Sequence, residues 1–111
     1  SRHMIGEDEL RLMKPSACLI NTSRGQVIVQ EALVRALKEG VIAGAALDVF
    51  ESEPLPPHDP LRNLENTILT PHLAWYTEQS QTRLRREASK AVADALEGRK
   101  PEFLVNPAAF R

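Results

Sequence analysis

Side chains of three complementary kinds stand at or just past the ends of three short apolar runs in this 111-residue chain. Arg24 lies in Asn21-Thr22-Ser23-Arg24-Gly25, directly behind Ala17-Cys18-Leu19-Ile20. Asp48 stands at the end of the second run, Ile42 to Val49, and Glu53 follows shortly after it. His72 comes after Thr67-Ile68-Leu69-Thr70, within Thr70-Pro71-His72-Leu73-Ala74. Ligands of open α/β sheets bind outside the carboxyl ends of the strands. If the three runs are neighbouring strands, a guanidinium, a carboxylate and an imidazole converge at one edge. That set suits hydride transfer to a 2-oxo acid. The guanidinium offers a planar fork of donors to a carboxylate and carbonyl. The imidazole can give a proton to the carbonyl oxygen as hydride reaches carbon, and take it back in reverse. A carboxylate on the other ring nitrogen fixes the tautomer and favours the protonated ring.

Each of these residues also has an ordinary structural reading. An Arg before Gly in a strand-to-helix turn is commonly a surface or capping residue. Glu53 before Pro54 reads equally as a solvated loop acid, and His72 after Pro71 as a loop histidine. Asp48 at a strand end is a common cap or turn former. Trp75 and Tyr76, the only residues of their types, could simply anchor the following helix to the core. Cys18 reads as an inert core thiol in mid-strand. Spacing alone does not choose between the two sets of readings.

The elements that must position these residues alternate. Gly6-Glu7-Asp8-Glu9-Leu10 opens a short helix with its acids at the favourable end of the dipole, limited by Pro15. Ala17 to Ile20 is apolar without alternation, which predicts a strand covered on both faces, as in a parallel sheet. Gln30 to Glu39 places Ala32, Leu33, Ala36 and Leu37 at helical spacing, with Gly40 as the stop. Ile42 to Val49 is a second strand, and Ala43-Gly44-Ala45-Ala46 would let a helix or cofactor approach its backbone closely. Glu51 to Asn66, with Pro54, Pro56, Pro57 and Pro60, reads as a long unstructured loop of the kind that is often functional. Thr67 to Thr70 is a third strand. A helix then runs from Glu78 to about Leu96, closed by Gly98. Thr77 is its N-cap, with Ser80 rather than Glu or Gln at the third position, so no full capping box is expected. Its apolar stripe is Leu84, Ala88, Ala91, Val92, Ala95 and Leu96, while Arg83, Arg85, Arg86 and Lys90 form a solvated face. Pro101 to Arg111 is an apolar, turn-rich tail expected to dock. This order predicts an α/β fold with a mostly parallel sheet, and three strands are few for it. The chain reads as part of a doubly wound domain.

Composition narrows the function classes. Fourteen Lys and Arg against fifteen Asp and Glu leave a net charge of −1, unlike the basic surplus of a nucleic-acid binder. The single cysteine excludes an internal disulfide framework and fits a reducing compartment. No apolar run approaches the ~20 residues of a membrane span. A cytoplasmic α/β unit is expected, with no nucleic-acid or membrane partner and no metal.

At these residues the sequence resembles a known family. Leu12-Met13-Lys14-Pro15 through Asn21-Thr22-Ser23-Arg24-Gly25 is similar to the D-isomer-specific 2-hydroxyacid dehydrogenases. So are Ala45-Ala46-Leu47-Asp48-Val49-Phe50, Glu53-Pro54 and Thr70-Pro71-His72. Ala74-Trp75-Tyr76 with Glu78-Gln79 resembles the branch holding C-terminal-binding-protein-like and phosphoglycerate dehydrogenase-like members. The glyoxylate/hydroxypyruvate reductases are close relatives.

The resemblance implies roles. Arg24 would bind the substrate's carboxylate and carbonyl, His72 would be the general acid/base, and Glu53 its partner. Asp48 would bond the nicotinamide carboxamide. Thr22, Ser23, Arg24, His72 and Ala74 would line the nicotinamide end, and Trp75 would wall the substrate pocket. The cofactor would be NAD, with NADP open, the substrate a small 2-oxo or 2-hydroxy acid, and the assembly a homodimer. One departure matters: the family's G-x-G-x-x-G motif is absent, since Gly6, Gly25, Gly40, Gly44 and Gly98 do not have that spacing. The chain is therefore expected to be the second half of a Rossmann-type NAD-binding domain (1–98) with a tail (99–111) returning toward a substrate domain. Two other readings are a nucleotide-sensing corepressor-like scaffold and a truncated, inactive module.

Overall fold

The computed structural model describes residues 1–109. Its helices are α1 (Glu7–Arg11), α2 (Gln30–Lys38) and α3 (Glu78–Leu96), and its strands β1 (Cys18–Asn21), β2 (Gly44–Leu47) and β3 (Thr67–Leu69). Short 3-10 turns stand at Gly25–Val27, Pro60–Asn63 and Pro107–Ala109. The chain divides into two compact units, Ser1–Ala74 and a second that begins at Trp75.

In the first unit the three strands run parallel in the order β1-β2-β3. Leu19 faces Ala45 and Ala45 faces Thr67; Asn21, Leu47 and Leu69 stand level at the carboxyl ends. This register sets the loops after all three strands side by side. One sheet face, bearing Leu19, Ala45, Leu47 and Leu69, joins the core with Leu33 and Leu37 of α2 and Leu10 of α1. Helix α2 buries Ala32, Leu33, Val34, Ala36 and Leu37 as its spacing predicts, and ends at Gly40, whose φ of +68° is left-handed. Burying a leucine such as Leu33 contributes roughly 1.5–3 kcal/mol.

The opposite sheet face differs from expectation. Ile20 and Ile68 are 72% and 68% exposed, and Cys18 is exposed at the first position of β1. Strand β1 is not covered on both faces, and Cys18 is not a core thiol. The physical reason is that α1 and α2 both belong to the layer over the other face. The small residues of β2 do permit close approach, but by backbone: a Cβ on Gly44 would lie 2.9 Å from the Asn66 carbonyl oxygen. The long loop is also more ordered than expected. Leu55 and Leu61 are buried, and Asp59 caps the Pro60–Asn63 turn by accepting from the Leu61 amide at 2.9 Å. The Glu53–Pro54 peptide is cis.

The second unit is built on α3. Thr77 Oγ1 accepts from the Ser80 amide at 3.0 Å, and Ser80 Oγ accepts from the Thr77 amide at 2.8 Å. The reciprocal capping box is thus complete, because a serine hydroxyl reaches back as a longer carboxylate would. Arg83, Arg85, Arg86 and Lys90 are exposed as expected. Leu84, Val92 and Leu96 of the apolar stripe are exposed as well, and the buried residue of the helix is Asp94. Asp94 accepts from Lys90 Nζ at 2.8 Å and from Arg99 Nη2 at 2.9 Å, and these two cations hold its carboxyl below the ordinary value. Trp75 and Tyr76 are half-exposed and stack edge-on, centroids 5.5 Å apart. In the tail only Pro101 is buried among the described residues, and Phe103 and Val105 are exposed. The end of the expected tail, residues 110–111, lies outside the described residues.

Candidate active site

Each strand ends in a loop shaped by a short polar residue. After β1, buried Asn21 accepts from the Ser23 amide at 3.1 Å and donates its side-chain amide to the Arg24 carbonyl at 3.0 Å. This turn leaves Thr22, Ser23 and Arg24 exposed at the strand's end. The Arg24 guanidinium donates to the Ser23 carbonyl at 2.8 Å. Gly25 then meets the next loop directly: a Cβ there would lie 1.9 Å from the carbonyl carbon and oxygen of Phe50. Only the missing side chain lets the loops of Arg24 and Glu53 come together.

Asp48, immediately after β2, joins all three loops. Its amide donates to the Asn21 carbonyl at 3.0 Å, and its carbonyl accepts from the His72 amide at 2.9 Å. Its carboxylate is buried and accepts from Thr70 Oγ1 at 2.5 Å and from the Leu73 and Ala74 amides at 2.8 Å each. Burial pushes this carboxyl up. The bonds from Thr70, Ala74 and Leu73, with the nearby His72, outweigh it and hold the group below its ordinary value. His72, thus bracketed, adopts a left-handed φ of 57°. Such backbone strain persists where surrounding bonds over-determine the conformation.

Glu53 reaches back from the proline-rich loop with both oxygens engaged. One accepts from the Phe50 amide at 2.9 Å, and the other lies 2.8 Å from His72 Nδ1. The Phe50 amide first, then His72 and the charge of Arg24, hold the Glu53 carboxyl below its ordinary value. An ionised carboxylate only accepts, so the proton of this bond belongs to Nδ1. Beside the pair opens a cleft of about 440 Å³, walled by Phe50, Pro54, Leu55, Leu69 and Pro71, with Arg62 at its margin.

The structure therefore brings Glu53, His72 and Asp48 into one bonded cluster, with Arg24 close enough for its charge to act on Glu53. Ala74 enters through its amide, while Trp75 belongs to the second unit. Four participants were given no role by the sequence reading. Asn21 and Thr70 act through hydrogen bonds, and an Asn-x-Ser turn pattern was the one available sign of the former. Gly25 and Arg62 act through partners distant in sequence, which local pattern does not reveal.

Comparison with known proteins places the chain in a family. Residues 1–74 match the family "D-isomer specific 2-hydroxyacid dehydrogenase, NAD binding domain". A glyoxylate reductase of Thermofilum pendens is 53% identical over 104 residues, covering 94% of this chain and 31% of its own length. A solved protein of Thermus thermophilus superposes with a TM-score of 0.87 at 39% identity, covering 94% of this chain and 33% of that one. The NADPH-dependent glyoxylate/hydroxypyruvate reductase of Sinorhizobium meliloti gives a TM-score of 0.78 at 34% identity, covering 84% of this chain and 29% of that one. The chain belongs to the D-isomer-specific 2-hydroxyacid dehydrogenase family, with the α/β, Rossmann-type fold of its NAD-binding domain. It spans about a third of the length of the relatives it matches.

Proposed function

We propose that this chain forms the catalytic part of the nicotinamide-binding domain of an oxidoreductase that interconverts a 2-oxo acid and a D-2-hydroxy acid. Glyoxylate, and hydroxypyruvate beside it, are the substrates suggested by the relatives' names. The observation that carries this reading is the 2.8 Å bond between Glu53 and His72, on a loop held by Asp48. Glu53 keeps a proton on Nδ1, so proton exchange with the substrate falls to Nε2. His72 gives that proton to the carbonyl oxygen during reduction and becomes neutral; in oxidation it takes the proton back. Arg24 presents its fork to the substrate carboxylate and carbonyl.

The strand ends fit the nicotinamide end of the cofactor. A carboxylate has about four acceptor positions, and Asp48 uses three, leaving room for one carboxamide N–H. Thr22, Ser23, Arg24, His72 and Ala74 line the same edge. When bound, the cofactor supplies or accepts the hydride. NAD is preferred, and NADP stays within reach because relatives of both kinds match. Residues 1–98 form the C-terminal half of this domain, 99–111 lead toward a substrate domain, and the working assembly is a cytoplasmic homodimer.

The test is steady-state kinetics with glyoxylate and NADH or NADPH on the protein that carries this domain. H72N should lower kcat by about 10²–10⁴. R24K should raise KM for the oxo acid by roughly tenfold or more, since an ammonium cannot reproduce the fork. Turnover of H72N and R24K within twofold of the parent would overturn the assignment.

A further inference from the structure

The loop that carries Glu53 is a poor candidate to hold itself in place. Glu51, Ser52, Glu53, Pro54, Pro56, Pro57 and His58 are all exposed, and Leu55 is its one buried anchor. Its three prolines lack amide donors, so the segment cannot be tied down by a backbone ladder. Its carbonyls need a donor from elsewhere, and Arg62 supplies it. Arg62 Nη2 donates to the Leu55 carbonyl at 2.6 Å, and Nε donates to the Pro56 carbonyl at 2.8 Å. The same Pro56 carbonyl accepts from the Asp59 amide at 3.1 Å, which closes the turn from the other side.

Arg62 itself stands on firm ground. Its neighbour Leu61 is fully buried, and the Leu61 carbonyl accepts from Thr67 Oγ1 at the start of β3 at 3.2 Å. The Arg62 amide donates to the Asp59 carbonyl at 3.1 Å, and Asp59 accepts from the Gln30 side chain of α2 at 2.8 Å. The 3-10 turn is thus bonded to both β3 and α2. A planar guanidinium with two converging donors transmits that fixed position to two successive carbonyls in a rigid fork, which the ammonium of lysine, a point charge on a flexible stem, does not provide.

We propose that Arg62 is a positioning residue, one that clamps the proline-rich loop so that Glu53 reaches the Phe50 amide and His72 Nδ1 together. The proposal rests on the reading of Glu53 and His72 given above. Arg62 acts through the loop backbone and needs no contact with substrate.

The test is the carboxyl ¹³C titration of Glu53 in the 111-residue chain, comparing wild type, R62K and H72N. R62K keeps the positive charge and loses the fork, so a purely electrostatic role leaves its titration unchanged. Clamping predicts that the Glu53 midpoint in R62K rises toward the ordinary glutamate value, because the bonds that hold it down are loosened. H72N should raise the midpoint as well, through loss of the imidazole. A rise in H72N with no rise in R62K overturns the role of Arg62 and leaves the pair standing. No rise in H72N overturns the pair, and the role of Arg62 with it. Should R62K fail to fold, R62Q, which keeps one amide donor, is read in the same way. Loss of fold in both would make Arg62 a structural residue and overturn the proposal.

Discussion

The Cα of Gly25 lies so close to Phe50 that any side chain would enter the Phe50 carbonyl, a Cβ falling 1.9 Å from it. The contact is backbone against backbone, so no rotamer change relieves it. G25A should therefore destabilise the chain by about 3 kcal/mol, in the range of severe overpacking. Gly40 is the control: its φ is +68° but a Cβ there meets nothing within 4 Å. G40A should cost only about 1 kcal/mol, the penalty of a left-handed residue. Urea unfolding of both variants checks the ranking, and equal losses would remove Gly25's special position.

Asp48 holds the His72 loop with two oxygens, and D48N replaces one of them with a donor. Either the Ala74 amide or the Leu73 and Thr70 donors then face an N–H. Hydrogen exchange at the Leu73 and Ala74 amides should accelerate by about tenfold in D48N. Exchange unchanged at both amides would mean that the loop is held by something else.

Asp48 and Glu53 both titrate below their ordinary values in the folded chain. The unfolded chain therefore binds protons more readily than the folded one as pH falls. Their contribution to stability is fully present above the ordinary carboxylate values of about 4. It disappears as pH drops through the lower folded values. E53Q should thus be less stable than wild type at pH 7, with the gap narrowing toward pH 3. Urea midpoints measured across that range read it directly, and a gap that widens in acid would contradict the geometry around Glu53.

Ser80 completes the N-terminal cap of α3 by accepting from the Thr77 amide. T77A should cost the helix about 1 kcal/mol, and S80A should also lower its stability. Thermal melts followed by far-ultraviolet circular dichroism distinguish the two caps. An S80A melt superimposable on wild type would leave Thr77 as a one-sided cap.

The alternation of helices and strands, the α2 core stripe and the placement of Arg24, Asp48, Glu53 and His72 behind strand ends were legible because they follow from periodicity and local spacing. Gly40 likewise announced its turn by position. Burial was less legible. An apolar run such as Ala17 to Ile20 signals that a strand can be covered on two faces, not which elements arrive to cover it, and Ile20 remains exposed. Ser80 does not stand out in the sequence because capping boxes are recognised by Glu or Gln, although the geometry needs only an acceptor within reach. Arg62 bonds residues six and seven positions away across a turn. No pattern in the chain marks that relation before the loop is folded.

The left-handed twist at residue 72 also limits what can stand there. Among residues with a side chain, Asn, Asp and His enter that conformation most readily, and bulky or β-branched ones do so at a cost. Of that short set only histidine exchanges a proton near neutral pH. The turn after β3 is thus a filter on replacement: drift at this position leads first to Asn, Asp or Gly, each keeping the backbone path while discarding the ring. Loss of chemistry and retention of fold are neighbours in sequence space here, one substitution apart.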